Sequence, residues 1–434
     1  MSRKTKTTTT KDARKSALMP KLRFPEFCGD DVWNEMPLDG LSKRIRRKVG
    51  SKELTPVSIT AGFGFVDQTK KFGRRIAGEQ YKNYIHIQRG DFVYNKGNSK
   101  TFAQGCIYQL KEFEEAAAST AFICFKLNAS CVDIYFQNLF ECNTHGRKLL
   151  KFITSGARSD GLLNINPTDF FSIELPLPPR KEEQQRIAEC LSSVDEVIAA
   201  QSRKLDAFKT HKKGLMQELF PREGETQPHL RFPQFQDAPE WSGDSLGQIF
   251  KTSSGGTPSR SKEEYWNGNI PWITTSLVDF NVITKADEFI SDEGLKNSSA
   301  KVFPEKTILV AMYGQGKTRG QVAILGIKAA TNQACAAILP RKNMDPNFVF
   351  MNLASRYEEM RGLSNSGGQK NLSQGLIQEL QFSYPNDIDE QQVIAECLTF
   401  LDDLIVAQAQ KLEALKTHKK GLMQQLFPSP EFNL

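Results

Sequence analysis

The amino-acid sequence consists of two related halves, and this internal duplication constrains the fold more strongly than any other feature. The repeated blocks are 22–27 with 230–235, 183–190 with 390–397, and 209–217 with 416–424. The last two pairs share one offset of about 207 residues, which is the period of the repeat. A period of this length predicts two similar folded units in tandem, because each copy is long enough to form its own core.

The two halves keep their ends and differ in their middles. Most positions match between 183–221 and 390–428, whereas 38–175 and 246–380 show no obvious alignment. This pattern is typical of a fixed scaffold that carries two exchangeable recognition domains. Unequal drift after a duplication is the alternative explanation.

The repeated segment after each middle predicts a long helix that takes part in a coiled coil. Apolar residues follow three-and-four spacing over about four heptads in both copies. The predicted interface positions are Leu191, Val194, Ile198, Leu205, Phe208 and Leu215 in the first helix and Leu398, Leu401, Ile405, Leu412, Leu415 and Leu422 in the second. The equal patterns favour pairing within the chain, and packing of each helix on its own domain is the alternative.

Polar residues interrupt this predicted interface at matched places. They are Gln201 and Lys212 in the first helix and Gln408 and Lys419 in the second. Polar groups at such positions lower stability and fix the register of a helix pair. Each helix is expected to end at Phe-Pro, at 220–221 or 427–428, because proline cannot continue a helix.

The patterns in the variable middles, 38–175 and 246–380, predict a mixture of helices and strands. Short apolar runs between turn residues predict strands near 84–94, 120–125, 307–312 and 321–325. Helical patterns cover 132–153 and 345–361. Each middle is therefore expected to be an α+β domain.

Composition and charge narrow the function further. No run of about 18 apolar residues and no signal sequence occur, which disfavours membrane insertion and secretion and predicts a cytoplasmic location. Eight cysteines without a C-x-x-C pair predict reduced, packed thiols and no metal site. A net charge of +7 suggests a polyanionic partner, and the basic, Thr-rich segment 1–21 is predicted to be disordered.

One segment matches a relaxed phosphate-binding loop, in which four residues separate Ala311 from Gly316-Lys317-Thr318. Such a loop needs a helix that begins at its Lys-Thr end, and here Arg319 and a β-branched run follow. The match to a phosphate-binding loop is thus incomplete, and a nucleotide-binding nuclease or NTPase that uses this loop is kept as an alternative function. No catalytic residue is predicted, and the carboxylates at 182–183 and 402–403 are interpreted as solvated helix faces.

Four loops combine flexible backbone with hydrogen-bond donors, two in each half. Their candidate DNA-binding residues are Lys96, Asn98 and Lys100; Arg158 and Ser159; Gln315, Lys317, Thr318 and Arg319; and Gln369, Lys370 and Asn371. Arginine can bind guanine, asparagine or glutamine can pair with adenine, and lysine or serine can hold phosphate. The recurrence of such loops in both halves favours DNA recognition.

These features together resemble the DNA-specificity subunit of type I restriction-modification enzymes. The resemblance rests on Leu-Pro-Leu-Pro-Pro at 175–179, which leads into Glu-Gln-Gln at 183–185, and on the two-half layout. The second middle adds Gly-Gly-Thr-Pro-Ser-Arg at 255–260, Pro-Trp-Ile at 271–273, Thr-Asn-Gln at 331–333 and Ser-Gly-Gly-Gln at 366–369, whereas the first middle lacks the first two of these. In this context Thr257, Ser259 and Arg260 join the candidate DNA-binding residues.

The resemblance implies an α+β, pseudo-two-fold fold in which two target-recognition domains are joined and separated by an antiparallel coiled coil. The expected parts are a basic arm at 1–21, target-recognition domains at 22–180 and 222–387, and spacer helices at 181–221 and 388–434. Each domain of such a subunit reads one half of a bipartite, asymmetric DNA site.

The resemblance also implies partners and cofactors. Two modification subunits would use S-adenosylmethionine, two restriction subunits would use ATP and Mg²⁺, and this chain would hold no cofactor or metal and have no active site. A coiled-coil scaffold that binds DNA without sequence preference is a further alternative.

Overall fold

The chain folds into two compact units whose boundaries fall inside its two longest helices. The computed structural model describes residues 18–60, 62–72, 78–97, 102–153, 163–222, 224–314, 316–363 and 372–428. The first unit comprises Met1–Gln201 with Lys411–Leu434, and the second comprises Ser202–Gln410. The contacts thus divide the chain in the middle of the predicted spacer helices rather than at their ends. Most of the predicted basic arm, 1–17, lies outside the described residues.

The first unit mixes short strands with short helices. Its strands are β1 Asn34–Pro37, β2 Ser42–Arg44, β3 Pro56–Thr60, β4 Gly64–Asp67, β5 Ile85–Gln88, β6 Phe92–Asn95, β7 Cys106–Gln109, β8 Glu115–Ala118, β9 Ile123–Leu127 and β10 Glu174–Leu177. Its helices are α1 Leu38–Leu41, α2 Gln68–Phe72, α3 Asp133–Glu141, α4 Thr144–Leu149 and α5 Pro167–Phe171, followed by the long helix α6 Lys181–Leu219, which continues into the second unit.

The second unit repeats this plan. Its strands are β11 Ser242–Ser245, β12 Thr252–Ser254, β13 Trp266–Ile273, β14 Asn281–Ile283, β15 Glu288–Ile290, β16 Val302–Phe303, β17 Ile308–Ala311, β18 Val322–Leu325, β19 Ala329–Thr331, β20 Cys335–Ile338 and β21 Gln381–Tyr384. Its helices are α7 Leu246–Ile249, α8 Asp292–Lys296, α9 Pro346–Ser355, α10 Tyr357–Gly362 and α11 Gln374–Glu379, and the long helix α12 Ile388–Leu426 begins here and ends in the first unit.

The two middles share one topology although their sequences do not align. In the described part of the first unit the strand orders are β1-β10, β2-β9-β6-β7 and β4-β3-β8-β5, and in that of the second they are β11-β21, β12-β20-β17-β18-β14 and β15-β13-β19-β16. Each strand of the first unit has a counterpart at the same place in the second, and β14 is added at one edge. The parallel pair β3-β8 likewise corresponds to the parallel pair β13-β19. The duplication therefore includes the variable middles.

Each long helix completes the core of both units. In the first unit Leu191 near the start of α6 shares a buried cluster with Leu426 and Phe427 at the end of α12. In the second unit Leu398 near the start of α12 shares a cluster with Leu219 and Phe220. Proline follows each terminal phenylalanine and ends the helix, because it supplies no N–H for a further helical bond.

A lysine–aspartate pair joins the two helices inside each unit. In the second unit Lys212 Nζ lies 2.6 Å from Asp402 Oδ1. In the first unit Lys419 Nζ lies 2.8 Å from Asp195 Oδ1 and 3.3 Å from Glu141 Oε2. Because residues late in one helix meet residues early in the other in both units, the helices are antiparallel within each. Asp402, interpreted from sequence as part of a solvated face, instead belongs to this helix interface.

The apolar positions predicted for the helix interface are all shielded from solvent to some degree. Leu191, Leu205, Leu398, Leu401 and Leu412 are buried. The remaining positions are partly buried, and they are Val194, Ile198, Phe208, Leu215, Ile405, Leu415 and Leu422. Gln201 is also buried.

A buried ion pair attaches the opening block of each repeat to the start of its long helix. In the first unit Arg23 Nε and Nη2 each donate to the Glu183 carboxylate at 2.8 Å, and Trp33 Nε1 donates to the same group at 3.1 Å. The interpretation of Glu183 as a solvated carboxylate is wrong, since the residue is 1% exposed. A buried charge is tolerated only when it is paired and hydrogen-bonded, which these donors achieve.

The same arrangement recurs in the second unit. Arg231 Nε and Nη2 donate to the Glu390 carboxylate at 2.6 and 2.7 Å, and Trp241 Nε1 donates at 3.1 Å. The hydrogen bonds raise the pKa of the Arg231 guanidinium above its ordinary value. The opening block of each half and the block at the start of its long helix therefore contact each other through side chains that both halves share.

Among the residues that the structure describes, no helix is both long and apolar enough to cross a bilayer.

The buried ion pair between Arg23 and Glu183 is predicted to stabilise the first unit. Glu183→Gln leaves Arg23 as a buried, unpaired charge, so we expect the free energy of unfolding of the first unit to fall by about 3–5 kcal/mol. Glu182→Gln, one residue earlier on an exposed side chain, is the matched control and should change it by less than about 0.5 kcal/mol. Urea unfolding followed by hydrogen-exchange mass spectrometry of first-unit peptides measures both. Equal effects of the two variants would contradict the anchoring role.

Candidate nucleic-acid interface

The first pair of cationic loops predicted from sequence occupies the same place in the two units. One loop joins β6 to β7, and the other joins the matched strands β17 and β18. In the first unit the Lys96 side chain is partly buried, and its carbonyl accepts a hydrogen bond from the Leu163 N–H at 2.9 Å. Asn98 and Lys100 lie outside the described residues. Loops with different side chains are therefore held at one topological position.

The loop of the second unit is fastened to helix α10. The Tyr357 hydroxyl donates to the Lys317 carbonyl at 2.5 Å, and Arg319 Nη2 donates to the Arg361 carbonyl at 2.7 Å. Lys317 is exposed, whereas Thr318 and Arg319 are partly buried. Lys317 is consequently the cation of this loop that is best placed for a polyanion, while Arg319 also holds the loop in position.

This loop lacks the geometry of a phosphate-binding loop. Strands β17 and β18 pair antiparallel, and the segment after Thr318 is a turn that leads into β18 rather than a helix. A phosphate-binding loop depends on amide groups at a helix N-terminus. The described part of the loop gives the nucleotide-binding alternative no such terminus. Gln315 lies outside the described residues.

A tight packing element explains the Gly-Gly-Thr-Pro, Pro-Trp-Ile and Thr-Asn-Gln motifs of the second unit. The Gly256 N–H donates to the Thr331 carbonyl at 2.8 Å, and Trp272 Nε1 donates to the Gly256 carbonyl at 3.0 Å. A Cβ atom on Gly255 would lie 2.0 Å from the Thr331 carbonyl oxygen, and one on Gly256 would lie 2.4 Å from the Ser299 backbone. Only glycine fits there, so the three motifs form one structural element.

Two hydroxyl residues of the connection between β12 and β13 differ in their surroundings. Thr257 Oγ1 donates to Gln333 Oε1 at 2.5 Å. Ser259 is exposed, and its Oγ lies 2.9 Å from that of Ser261. Exposed hydroxyls of this kind hydrogen-bond readily to phosphate or to base edges.

Arg260 is held at the surface by an aromatic ring and a carboxylate. Its guanidinium carbon lies 3.6 Å from the centre of the Trp266 ring, and its Nη1 lies 2.5 Å from Glu288 Oε2. Cation–π contact with tryptophan fixes the plane of the guanidinium while leaving its edge accessible. Because the carboxylate is partly exposed, this pairing is weak and can be exchanged for another acceptor.

The second pair of predicted loops falls at matched places, between α4 and α5 and between α10 and α11. Their candidate residues are Arg158, Ser159, Gln369, Lys370 and Asn371. All of them lie outside the described residues.

Sequence reasoning missed a cationic segment at the edge of the first unit. Its members are Lys43, Arg44, Arg46, Arg47 and Lys48, all exposed on or just after β2. β2 is an edge strand, where cations also prevent association between sheets. Burial, and secondarily the neighbouring Arg46, lowers the pKa of Arg44. The signal available in the sequence was five cations within six residues, in the connection that corresponds to 255–260 of the second unit.

The buried titratable groups of the first unit belong to its core. Burial raises the pKa of the Cys106 thiol to about 11 and that of the Cys124 thiol to about 12. Burial also lowers the pKa of His145 to about 4. These thiols and this imidazole are neutral at pH 7 and are packed away from solvent. Among the described residues no group of three His, Cys, Asp or Glu side chains is placed to hold a metal ion.

Known proteins match this chain in both of its halves. The sequence model of the type I restriction modification DNA specificity domain matches residues 70–209 and 239–417. The MjaIX specificity subunit of Methanocaldococcus jannaschii is 28% identical over 41% of this chain, and the EcoR124I/EcoR124II specificity subunit of Escherichia coli is 30% identical over 38%. Each alignment spans 41% of the relative's own length. The putative MjaX specificity subunit of M. jannaschii is 24% identical over 78% of this chain and 77% of its own.

Solved structures establish the fold. A chain from a study of complex assembly and conformational transition of the type I R-M system has a TM-score of 0.61 at 17% identity, covering 92% of this chain and 98% of that one. The type I restriction-modification S subunit from M. genitalium has a TM-score of 0.54 at 17% identity, covering 95% and 99%. The predicted α+β fold with tandem domains and two long repeated helices is confirmed. Because the family's sequence model covers more than half of the residues and both halves, the chain belongs to the type I restriction-modification DNA specificity family.

Proposed function

We propose that this chain is the DNA-recognition subunit of a type I restriction-modification enzyme and that each unit reads one half of a bipartite, asymmetric site. The observation that carries the proposal is the shared topology of the two units with different side chains on the matched loops. A common scaffold with different loops is how one fold presents different binding specificities. Two different half-sites require this combination.

The chemistry of the matched loops suits double-stranded DNA. Lys317 in the second unit and the cationic segment 43–48 in the first supply exposed positive charge for phosphate oxygens. Arg260, with its plane fixed on Trp266, has the geometry for bidentate contact with guanine once Glu288 is displaced. Phosphate contacts would position the chain, and base contacts would give its specificity.

The partners belong to the same proposal. Two modification subunits that use S-adenosylmethionine would dock on the repeated helices, and two restriction subunits that use ATP and Mg²⁺ would complete the enzyme. This chain would be non-catalytic and would itself hold no cofactor. Its place of action would be the cytoplasm, with the DNA.

The paired helices would set the distance between half-sites. Each is a single uninterrupted element, Lys181–Leu219 or Ile388–Leu426, and a helix of this length extends about 58 Å. The pairs Lys212–Asp402 and Lys419–Asp195 fix the register at two places. A sequence-independent DNA scaffold would also have such helices, but it has no need of two different sets of loops.

Loop substitutions test the division of labour between the units. Lys317→Ala should weaken recognition of one half-site and leave the other unchanged, because the loop contacts one part of the DNA. Lys328→Ala, at the opposite end of β18, is the matched control. Lys100→Ala and Arg158→Ala should affect the other half-site. Competition binding of the assembled enzyme to duplexes altered in one half at a time measures this, and equal losses on both halves would refute the assignment.

Shortening the helices tests the spacer role. Deleting 198–204 together with 405–411 removes one heptad from each helix and leaves both lysine–aspartate pairs able to form. The helix pair becomes about 10 Å shorter, the rise of about three base pairs.

The tolerated gap should then change by a whole number of base pairs while both half-sites stay the same. Substituting the same fourteen positions without deletion, by exchanging the two heptads, is the control. An unchanged gap in a folded, assembled deletion variant would show that the helices are not the spacer.

A further inference from the structure

One phenylalanine protrudes from each unit at a matched place in the fold. Phe63 is 83% exposed and lies in the turn that leaves β3, and Phe280 is 40% exposed and lies in the connection that leaves the matched strand β13. Single exposed apolar residues are common on protein surfaces. These two recur in the connections that leave matched strands, in middles that do not align in sequence.

The turn around Phe63 is fixed next to the β6–β7 loop. The Gly62 N–H donates to the Tyr108 hydroxyl on β7 at 2.8 Å. Asn95 Nδ2, at the end of β6, donates to the Ile59 carbonyl at 3.3 Å. Gly62 has a φ of +84°, a conformation that favours glycine, and the side chain of the next residue, Phe63, is exposed.

A cation accompanies this ring. Lys71 Nζ donates to Thr60 Oγ1 at 2.8 Å, on the same turn. Lys70 beside it is exposed. An apolar ring flanked by cations, at the end of the unit where the β6–β7 loop begins, combines the two chemistries that bind nucleic acids.

Phe280 is fixed in a similar way. Its N–H donates to the Val322 carbonyl at the start of β18 at 2.8 Å, and its ring meets that of Tyr357 at 5.2 Å in a T-shaped contact. Tyr357 in turn holds the loop of Lys317. Phe280 has a φ of +51°, which is unfavourable for a bulky residue and is maintained by these contacts.

We propose that Phe63 and Phe280 are specificity-determining residues, each of which contacts bases of the half-site read by its own unit. The ring would enter a base step or pack on the methyl group of a thymine, while the neighbouring cations hold the backbone. This inference rests on the proposed function, since it assigns particular side chains to a DNA half-site. A protein surface on a partner subunit is the competing occupant of the rings.

The test compares single substitutions in the assembled modification enzyme. Phe63→Ala should reduce affinity for the specific duplex about 5- to 150-fold, the loss expected for one specific base contact, and should relax discrimination in one half-site only. Phe280→Ala should do the same for the other half-site. Binding to non-specific DNA and its salt dependence should stay unchanged, because neither ring carries charge.

Two further variants separate the contact from general effects. Phe63→Trp keeps an aromatic face and should retain most of the affinity for the specific duplex. If both variants are folded and only Phe63→Ala loses this affinity, the aromatic ring is the group that contacts the DNA. Ile134→Ala, which removes a 41% exposed apolar side chain from α3 of the same unit, is the matched control and should leave half-site discrimination unchanged.

The outcomes are distinguishable. If the Phe63→Ala and Phe280→Ala variants bind both half-sites with the affinity of the chain without substitutions, the inference is wrong while the proposed function stands. If these variants lose assembly with the modification subunits but not discrimination, the rings contact protein and the inference is also wrong. If the unmodified enzyme shows no sequence preference, the proposed function itself fails.

Discussion

The exchange of helix ends between the two units is the constraint on which the rest of the structure depends. α6 begins in the core of the first unit and ends in that of the second, and α12 does the reverse. Neither half of the sequence therefore contains all the residues of its own core. The terminal Phe427 packs against Tyr135 in one unit, and Phe220 packs against Phe348 in the other. Burial of such rings is a large part of core stability.

This exchange explains why the ends of the repeat are kept while the middles differ. A residue of the repeated block must satisfy the helix partner in one unit and the core of the other, so few substitutions are compatible with both. The Arg23–Glu183 and Arg231–Glu390 pairs add a second requirement, because loss of one partner leaves a buried charge. The loops that join the matched strands do not have to satisfy two cores at once. Their side chains can therefore differ between the units according to the ligand that each unit binds.

The sequence predicted the long helices, their termination at Phe-Pro, and the apolar face along which they lie. Periodicity determines these features directly, because a seven-residue apolar repeat and a Phe-Pro stop have one structural meaning. The shared topology of the middles could not be read from the sequence, since short strands depend on burial and on distant partners more than on local pattern. Glu183 was misread for the same reason, because its partner Arg23 lies far away in sequence.

The candidate site was predicted in part. The position of the Lys317 loop between two strands followed from glycine and the flanking apolar runs. The exposure of Phe63 and Phe280 could not be predicted, because an isolated phenylalanine in a sequence gives no indication of it. The cationic segment 43–48 was visible in the sequence and was overlooked beside the stronger repeat.

The central claim is that each unit reads its own half of a split DNA sequence. The most direct measurement is a genome-wide map of N6-methyladenine by single-molecule sequencing, in cells that express this chain with the modification and restriction subunits of its own system. We expect two short half-sites around a fixed gap, and replacing 38–175 with the middle of another family member should change one half only. A continuous motif, a change in both halves, or no motif from a verified assembled complex would contradict this claim.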